Sequence, residues 1–312
     1  MTNFSLLELN EIIQELRIIL DKTAPHAVVE FIVLNPDIAS GTYNGTRIKV
    51  EQESAIYRGY KTWLELAHIL GCRMLTPKVI DEHFILMHYE KLTQDSFHTS
   101  DAQKEEKYGS DSIFSAIHKN EEAGFLHYFT QALQNVKIDE RKRVLNLGIN
   151  SGDEFELIQK ISKNFVNLEL VGIDYCASAI ESAQKKFQNE NNVTLLQADI
   201  NNLNALNLGE FDLIVSIGAL QSANLEYKKL MMTLVQNQLS RKGAMILAWP
   251  NCRWRDGEML YGARMKNYAF SEMSNLYKDV IFAKKYLQQK KFRVTITGKD
   301  YIFVTATSIQ KD

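Results

Sequence analysis

The sequence predicts an α/β protein: a doubly wound, mostly parallel sheet of seven strands with the last strand reversed fills the second half, and a smaller α+β domain precedes it. Three observations carry this. From residue 143 onward, short apolar runs alternate with amphipathic stretches, the order that builds βαβ units. The runs are apolar at nearly every position rather than at alternate ones, which suits strands covered on both faces. The final two runs are separated by only a few residues around Lys299-Asp300, too few for a crossover, so they pair antiparallel.

Taken in order, residues 5–22 place Leu6, Leu9, Ile12, Ile13, Leu16, Ile19 and Leu20 on one face of a helix. VVEFIVLN (28–35) reads as a strand, the Asn44-Gly45 pair as a tight hairpin turn, KTWLELAHILG as a short helix stopped by Gly71, and HFILMHYEKL (83–92) as a strand. The polar stretch QDSFHTSDAQKEEKYGSDS marks a boundary. It divides an accessory domain (1–95), a linker (96–111) and a cofactor-binding domain (112–312). A helix is expected over 112–134. The strands of the second domain are RVLNLGI (143–149), LELVGID (168–174), VTLLQAD (193–199), FDLIVSIG (211–218), GAMILAW (243–249), FRVTITG (292–298) and YIFVTAT (301–307). Helical patterns lie near 153–164, 178–189 and 224–239, and the link between the third and fourth strands is too short for a helix.

A chain of 312 residues, 45% hydrophobic and 24% charged, is long enough for two domains with cores of their own. Cys72, Cys176 and Cys252 are scattered and fit neither a disulfide framework nor a zinc site, which points to a reducing cytoplasm. His83, His88 and His98 lack metal-ligand spacing, so no metal is expected. The first 22 residues mix Glu and Lys into a helical pattern and suit neither a signal peptide nor a membrane span. Lys/Arg against Asp/Glu counts are 9 and 13 over residues 1–100, 13 and 19 over 101–240, and 14 and 6 over 241–312. The acidic first hundred residues argue against a general nucleic-acid grip; any RNA would meet the basic C-terminal part.

In a parallel sheet of this kind, ligands sit beyond the carboxyl ends of the strands. After the first strand the chain reads VLNLGINSGDE. Gly148 and Gly152 allow a tight turn, and Ser151 with Glu154 suggests a capping box for the next helix. A dinucleotide loop wants glycines spaced GxGxxG and a helix start free for phosphate. Here those positions are Gly148, Asn150 and Asp153, and the carboxylates would lie where the phosphates belong. S-adenosylmethionine has no phosphate and carries a sulfonium and an ammonium, so nearby acids suit it. The second strand ends on Asp174, placed to accept hydrogen bonds from both ribose hydroxyls, and the third on Asp199-Ile200, placed for the adenine amino group and the base plane. The fourth strand, with Ser216, would line the methionine end.

These residues together resemble the class I S-adenosylmethionine-dependent methyltransferases, a Rossmann-like seven-stranded fold with a reversed last strand, over residues 143–307. The resemblance maps that family's acidic-x-Gly-x-Gly-x-Gly loop onto Asn146, Gly148, Asn150 and Gly152, its ribose carboxylate onto Asp174, and its adenine-binding acid onto Asp199. Two positions depart from the pattern: Asn146 stands for the acid and Asn150 for the middle glycine. Asn tolerates left-handed backbone angles. Tyr175 and Ser216 complete the expected cofactor contacts. The activity implied is methyl transfer from S-adenosylmethionine to RNA, protein or a small molecule; the other reading is a non-catalytic partner subunit that binds the same cofactor.

No catalytic residue is evident, since methyl transfer needs mainly alignment. After the fourth strand the chain has SIGALQS, without an Asn/Asp-Pro-Pro-aromatic motif and with Gln221-Ser222 where a histidine would serve as base. Cys252 follows the fifth strand but lacks the partner Pro-Cys motif of thiolate chemistry, and reads as a buried thiol. Arg253, Trp254, Arg255, Tyr261 and Arg264, with Lys266 and Tyr268, form a cationic and aromatic stretch suited to an acceptor's phosphates, carboxylates or bases, or else a solvated part of the fold. In the first domain Tyr57, Arg58, Tyr60, Lys61 and Trp63 offer acceptor contacts, while Trp63 with Leu66, Ala67 and Leu70 also matches a helix's core face.

Overall fold

The computed structural model describes residues 2–93, 109, 112–222, 224–262 and 273–310. The expected linker 96–111 lies, Gly109 aside, outside the described residues. The chain divides into two compact units, residues 1–96 with 254–261 and residues 97–253 with 262–312. Among the described residues no helix is long and apolar enough to cross a membrane, and no group of His, Cys, Asp and Glu is arranged to hold a metal.

The first unit comprises β1 (Thr2–Asn3), α1 (Leu9–Asp21), β2 (Val28–Leu34), β3 (Arg47–Val50), β4 (Glu53–Ile56), α2 (Tyr60–Ile69), β5 (Cys72–Val79) and β6 (Phe84–Lys91). Its sheet runs β1-β2-β6-β5, with β6 antiparallel to both neighbours. Alternate residues Phe31 and Val33 of β2 and Met87 and Tyr89 of β6 meet Ile12 and Leu16 of α1 and Trp63 and Leu66 of α2 in one core, the period-2 and period-3.6 faces closing on each other. Trp63 is thus a core residue, its Nε1 donating to the Arg58 carbonyl at 3.2 Å. Arg58 is buried as well, its guanidinium donating to the Leu7 carbonyl at 2.7 Å.

One local expectation is corrected here, and one strand is added. Asn44-Gly45 is not the hairpin turn: β3 pairs with β4 beyond it, reversing at Glu51-Gln52. The Asn44 side chain instead accepts the Gly59 N–H at 2.8 Å and donates to Thr62 at 2.8 Å, pinning the start of α2. Strand β5 has no counterpart in the sequence reading. It carries Pro77 on a sheet edge where its register with β6 shifts between Leu75 and Lys78, the setting in which a strand tolerates proline and loses its alternation. Residues 254–261 complete the unit. Asp256 accepts from the Thr93 N–H at 2.6 Å and hydroxyl at 3.0 Å, Glu258 lies 3.6 Å from Arg73, and Leu260 is wholly buried.

The second unit opens with 3-10 turns at Ile113–Ala116 and Lys119–Glu121 and continues through α3 (Ala123–Asn135), β7 (Arg143–Leu147), α4 (Asp153–Ile161), β8 (Glu169–Asp174), α5 (Ala177–Lys186), β9 (Val193–Gln197), β10 (Phe211–Ile217), α6 (Tyr227–Thr233), β11 (Leu239–Pro250), α7 (Met273–Gln289), β14 (Phe292–Gly298) and β15 (Tyr301–Ser308); between β11 and α7, the hairpin of β12 (Cys252–Arg255) and β13 (Glu258–Tyr261) belongs from Trp254 onward to the first unit. The sheet order is β14-β15-β11-β10-β7-β8-β9. The pairs β7–β8, β8–β9, β10–β7 and β10–β11 are parallel, and β15 is antiparallel to β11 and β14. This is the seven-stranded, last-strand-reversed sheet that the apolar runs imply. Only a 3-10 segment, Ile200–Leu206, joins β9 to β10, as the short link requires. The strand order reverses between β7 and β10, which opens a crevice beyond their carboxyl ends.

Candidate active site

Where β7 ends, Gly148, Asn150 and Gly152 adopt φ of +76°, +46° and +91°, so the chain turns left-handed three times in five residues. The Gly148 and Ile149 N–H groups donate to the Ile173 carbonyl at 2.8 and 3.0 Å, which ties the loop to β8. A Cβ on Gly148 would fall 2.5 Å from that of Ala219, just beyond β10, and one on Gly152 would fall 2.5 Å from the Phe187 ring. Both glycines are therefore required by close approach as well as by backbone angle.

Asp174 closes the loop from the other side. Its carboxylate accepts the Asn150 N–H at 2.8 Å and the Cys176 N–H at 3.0 Å, and also the Tyr175 N–H. Burial pushes its pKa up, while these N–H bonds and the Lys119 charge oppose the shift. A carboxylate has about four lone-pair positions, and backbone N–H groups take three of those of Asp174. Tyr175 is half-exposed beside it. Asp199 caps the 3-10 segment by accepting the Asn201 N–H at 2.9 Å, and Ile200 packs against the main core. Ser216 is wholly buried and its hydroxyl donates to the Leu147 carbonyl at 3.0 Å; it clasps β10 to β7 rather than offering a free group to a ligand. Asn146, also wholly buried, has no partner for either its amide nitrogen or its oxygen.

One group at this site escapes a reading of the sequence. Lys119 Nζ lies 2.8 Å from Glu154 Oε1, both side chains buried, and Asn120 donates to the Asp153 carbonyl at 2.8 Å. The first turn of α4 is thereby held by the segment before α3. The expected Ser151–Glu154 capping box does not form. Gly152 is the N-cap with no side-chain bond, because Glu154 is turned to Lys119. Glu154, Asp153 and Asp174 together keep Lys119 charged, its pKa raised despite desolvation. The partners are 35 residues apart, so no local pattern announces them.

The carboxyl ends of β10 and β11 and the amino end of the antiparallel β15 form the other side. Gly218, at φ +71°, has the Gln221 amide nitrogen and the Tyr301 ring 3.9 and 4.0 Å from where a Cβ would stand. Asn251 donates its backbone N–H to the Asp300 carbonyl at 2.7 Å. Cys252 is buried and its thiol is pushed far up by burial first, then by Asp300 and Glu122, which leaves it a neutral thiol as expected. Of the cationic and aromatic candidates, Arg253 belongs to the second unit and Trp254, Arg255 and Tyr261 to the first; Arg264, with Lys266 and Tyr268, lies outside the described residues.

A family profile described as a methyltransferase domain matches residues 138–297. No curated protein sequence matches the chain. Among solved structures, a CurJ carbon methyltransferase aligns at 13% identity and a TM-score of 0.42 over 66% of this chain and 57% of its own. A coclaurine N-methyltransferase, solved with N-methylheliamine and SAH, aligns at 19% identity and a TM-score of 0.34 over 41% of this chain and 36% of its own. A SAM-dependent methyltransferase from Aquifex aeolicus aligns at 15% identity and a TM-score of 0.43 over 58% of this chain and 89% of its own. The chain thus spans little more than half of the first of these structures and about a third of the second.

Proposed function

The chain belongs to the methyltransferase-domain family, a family of S-adenosylmethionine-dependent enzymes, and on that premise we propose that the crevice beyond β7, β8 and β10 binds S-adenosylmethionine for methyl transfer to an acceptor. The observation that carries the reading is the left-handed turn at Gly148, Asn150 and Gly152 joined to the Asp174 carboxylate at the next strand's end. A loop held in this way leaves backbone and carboxylate fixed before a ligand arrives, which lowers the cost of ordering it. The residues fit the cofactor. Asn146 supplies a buried carboxamide with neither end bonded, suited to the methionine end. Asp174 takes one ribose hydroxyl, and Asp199 with Ile200 meets the adenine. Tyr175 borders the ribose, and Ser216 acts through the strands it clasps. When bound, the cofactor supplies an electrophilic methyl on a sulfonium; the chain's own task is to exclude water and align the acceptor.

A cytoplasmic setting accords with three buried cysteines that form no disulfide. Among acceptors, RNA draws less from the 254–261 segment than its composition suggests, because Asp256 and Glu258 engage Thr93 and Arg73 within the first unit. Calorimetric titration with S-adenosylhomocysteine tests the cofactor reading. The native protein is expected to bind, and Asp174→Ala to weaken binding at least tenfold, the ~1.4 kcal/mol expected for one charged hydrogen bond and a loosened loop. No binding by the native protein, or equal binding by the variant, would sink it. Binding without transfer to any cell extract would favour the non-catalytic subunit.

A further inference from the structure

Gln221 and Asn251 stand at the carboxyl ends of adjacent strands β10 and β11, and they share one arrangement. Each is buried, 6% and 2% exposed. Each commits an amide N–H to a backbone carbonyl, Gln221 to Gly218 and Asn251 to Lys299 at 3.1 Å. Each leaves its carbonyl oxygen, Oε1 and Oδ1, buried without a donor. An orphan acceptor of this kind is costly to keep buried, and two of them flank the strand ends that border the cofactor crevice. Tying the nitrogen back to the main chain fixes which end of each amide faces away from it, so both side chains turn their acceptor oxygens the other way. The surroundings have the same character. Asp300 is buried with its Oδ2 3.0 Å from where a Cβ on Gly124 would stand and 3.7 Å from the largely exposed Lys299 ammonium, Glu122 and Asp300 both act on the neighbouring Cys252, and the Lys119 charge is already matched by Glu154.

We propose that Gln221 Oε1 and Asn251 Oδ1 receive the N–H groups of an amine-bearing methyl acceptor, making this the acceptor pocket and an amine the substrate class. The proposal rests on the cofactor reading above for the identity of the neighbouring crevice. A primary amine, once its ammonium proton has passed to solvent, can give a hydrogen to each oxygen and still present its lone pair to the methyl, whereas a hydroxyl has one hydrogen to give and a carboxylate or phosphate would face two oxygens that cannot donate to it. The paired acceptors therefore select by the number of donors and by charge.

The test uses benzylamine, benzyl alcohol and benzoate as probes on the full chain, titrated by calorimetry with and without saturating S-adenosylhomocysteine. Benzylamine is expected to bind at least tenfold more tightly than either oxygen analogue. Gln221→Met and Asn251→Leu are each expected to reduce that affinity fivefold or more, while thermal midpoint and S-adenosylhomocysteine affinity stay close to native. Asn251→Asp, which keeps the shape and adds a negative charge, is expected to tighten benzylamine and covers the case in which a truncated variant folds poorly. Failure of the homocysteine titration alone overturns the cofactor reading. Absence of benzylamine binding in both conditions, as ordered water alone at these oxygens would produce, overturns the amine proposal; so does a preference for the alcohol or benzoate, or amine binding unchanged in the variants.

Discussion

Gly148 is under two constraints that one substitution breaks together. Alanine there would meet a φ of +76° and place its Cβ 2.5 Å from Ala219, so Gly148→Ala is expected to cost about 1–3 kcal/mol in urea denaturation. Asn150 at +46° has no such crowding to relieve, and Asn150→Gly is expected to stay within about 0.5–1 kcal/mol of native. Native-like stability of Gly148→Ala would mean that neither the backbone angle nor the close approach constrains the loop. The same scale separates reactive from inert sulfur. Burial pushes the Cys72 thiol up to about 11 and Cys252 still further, so in native protein at pH 8 both are expected to resist iodoacetamide, and to label once unfolded, as read by mass spectrometry. Rapid native labelling of Cys252 would restore it as a candidate nucleophile. Single residues were only partly readable beforehand. The turn at Gly148 and Gly152 follows from the strand end, but nothing near Ser216 along the chain reveals that its proton goes to Leu147, 69 residues away.

Helix α4 shows what its element contributes to holding the loop. Its first turn carries Asp153, Glu154 and Glu156, favourable at a helix start, yet Glu154 is buried and needs Lys119. Removing one member of a buried pair is costly, about 3–5 kcal/mol, so Lys119→Met is expected to destabilise by that order, and adding Glu154→Leu to recover much of it. A double variant no better than the single one would show that packing, not the stranded carboxylate, sets the loss. Glu156 gives a pH signature. Its carboxyl is held below the usual range, first by the hydrogen bond from Lys160 and then by Lys186. A carboxyl depressed in the folded state adds stability above its ordinary pKa and loses it as pH falls through the folded value. Below about pH 4.3, Glu156→Gln is therefore expected to lose less stability than native protein, by under ~1 kcal/mol because water screens the pair; parallel acid limbs would contradict this. Elements of the large sheet were readable because their runs are long, apolar and local. Strand β5 was not, since Pro77 and a register shift erase its alternation, and α3 was expected from 112 but begins at Ala123, its preceding turn given to Lys119.

For the whole molecule, the first unit is built from two stretches of chain, residues 1–96 and 254–261. A cut at residue 96 therefore does not yield a self-contained second domain. A fragment covering 112–312 would carry Leu260, wholly buried in the full chain, with none of its partners in the first unit. Size-exclusion chromatography is expected to show that fragment associating, and replacement of 254–261 by a short Gly-Ser link to restore a monomer; a monomeric unmodified fragment would contradict this. Composition and periodicity gave no warning, because the segment reads as a continuation of the second domain and its attachment is made by Asp256 with Thr93, 163 residues earlier. The arrangement also sets a timetable. Residue 96 is translated 158 residues before residue 254, a lag of about 8–30 s at roughly 5–20 residues per second. For that interval on the ribosome the Thr93 N–H and the surface meant for Leu260 wait for a peptide that has not yet been made, so nascent first units are the stage at which a chaperone or a neighbouring polysome has something to hold.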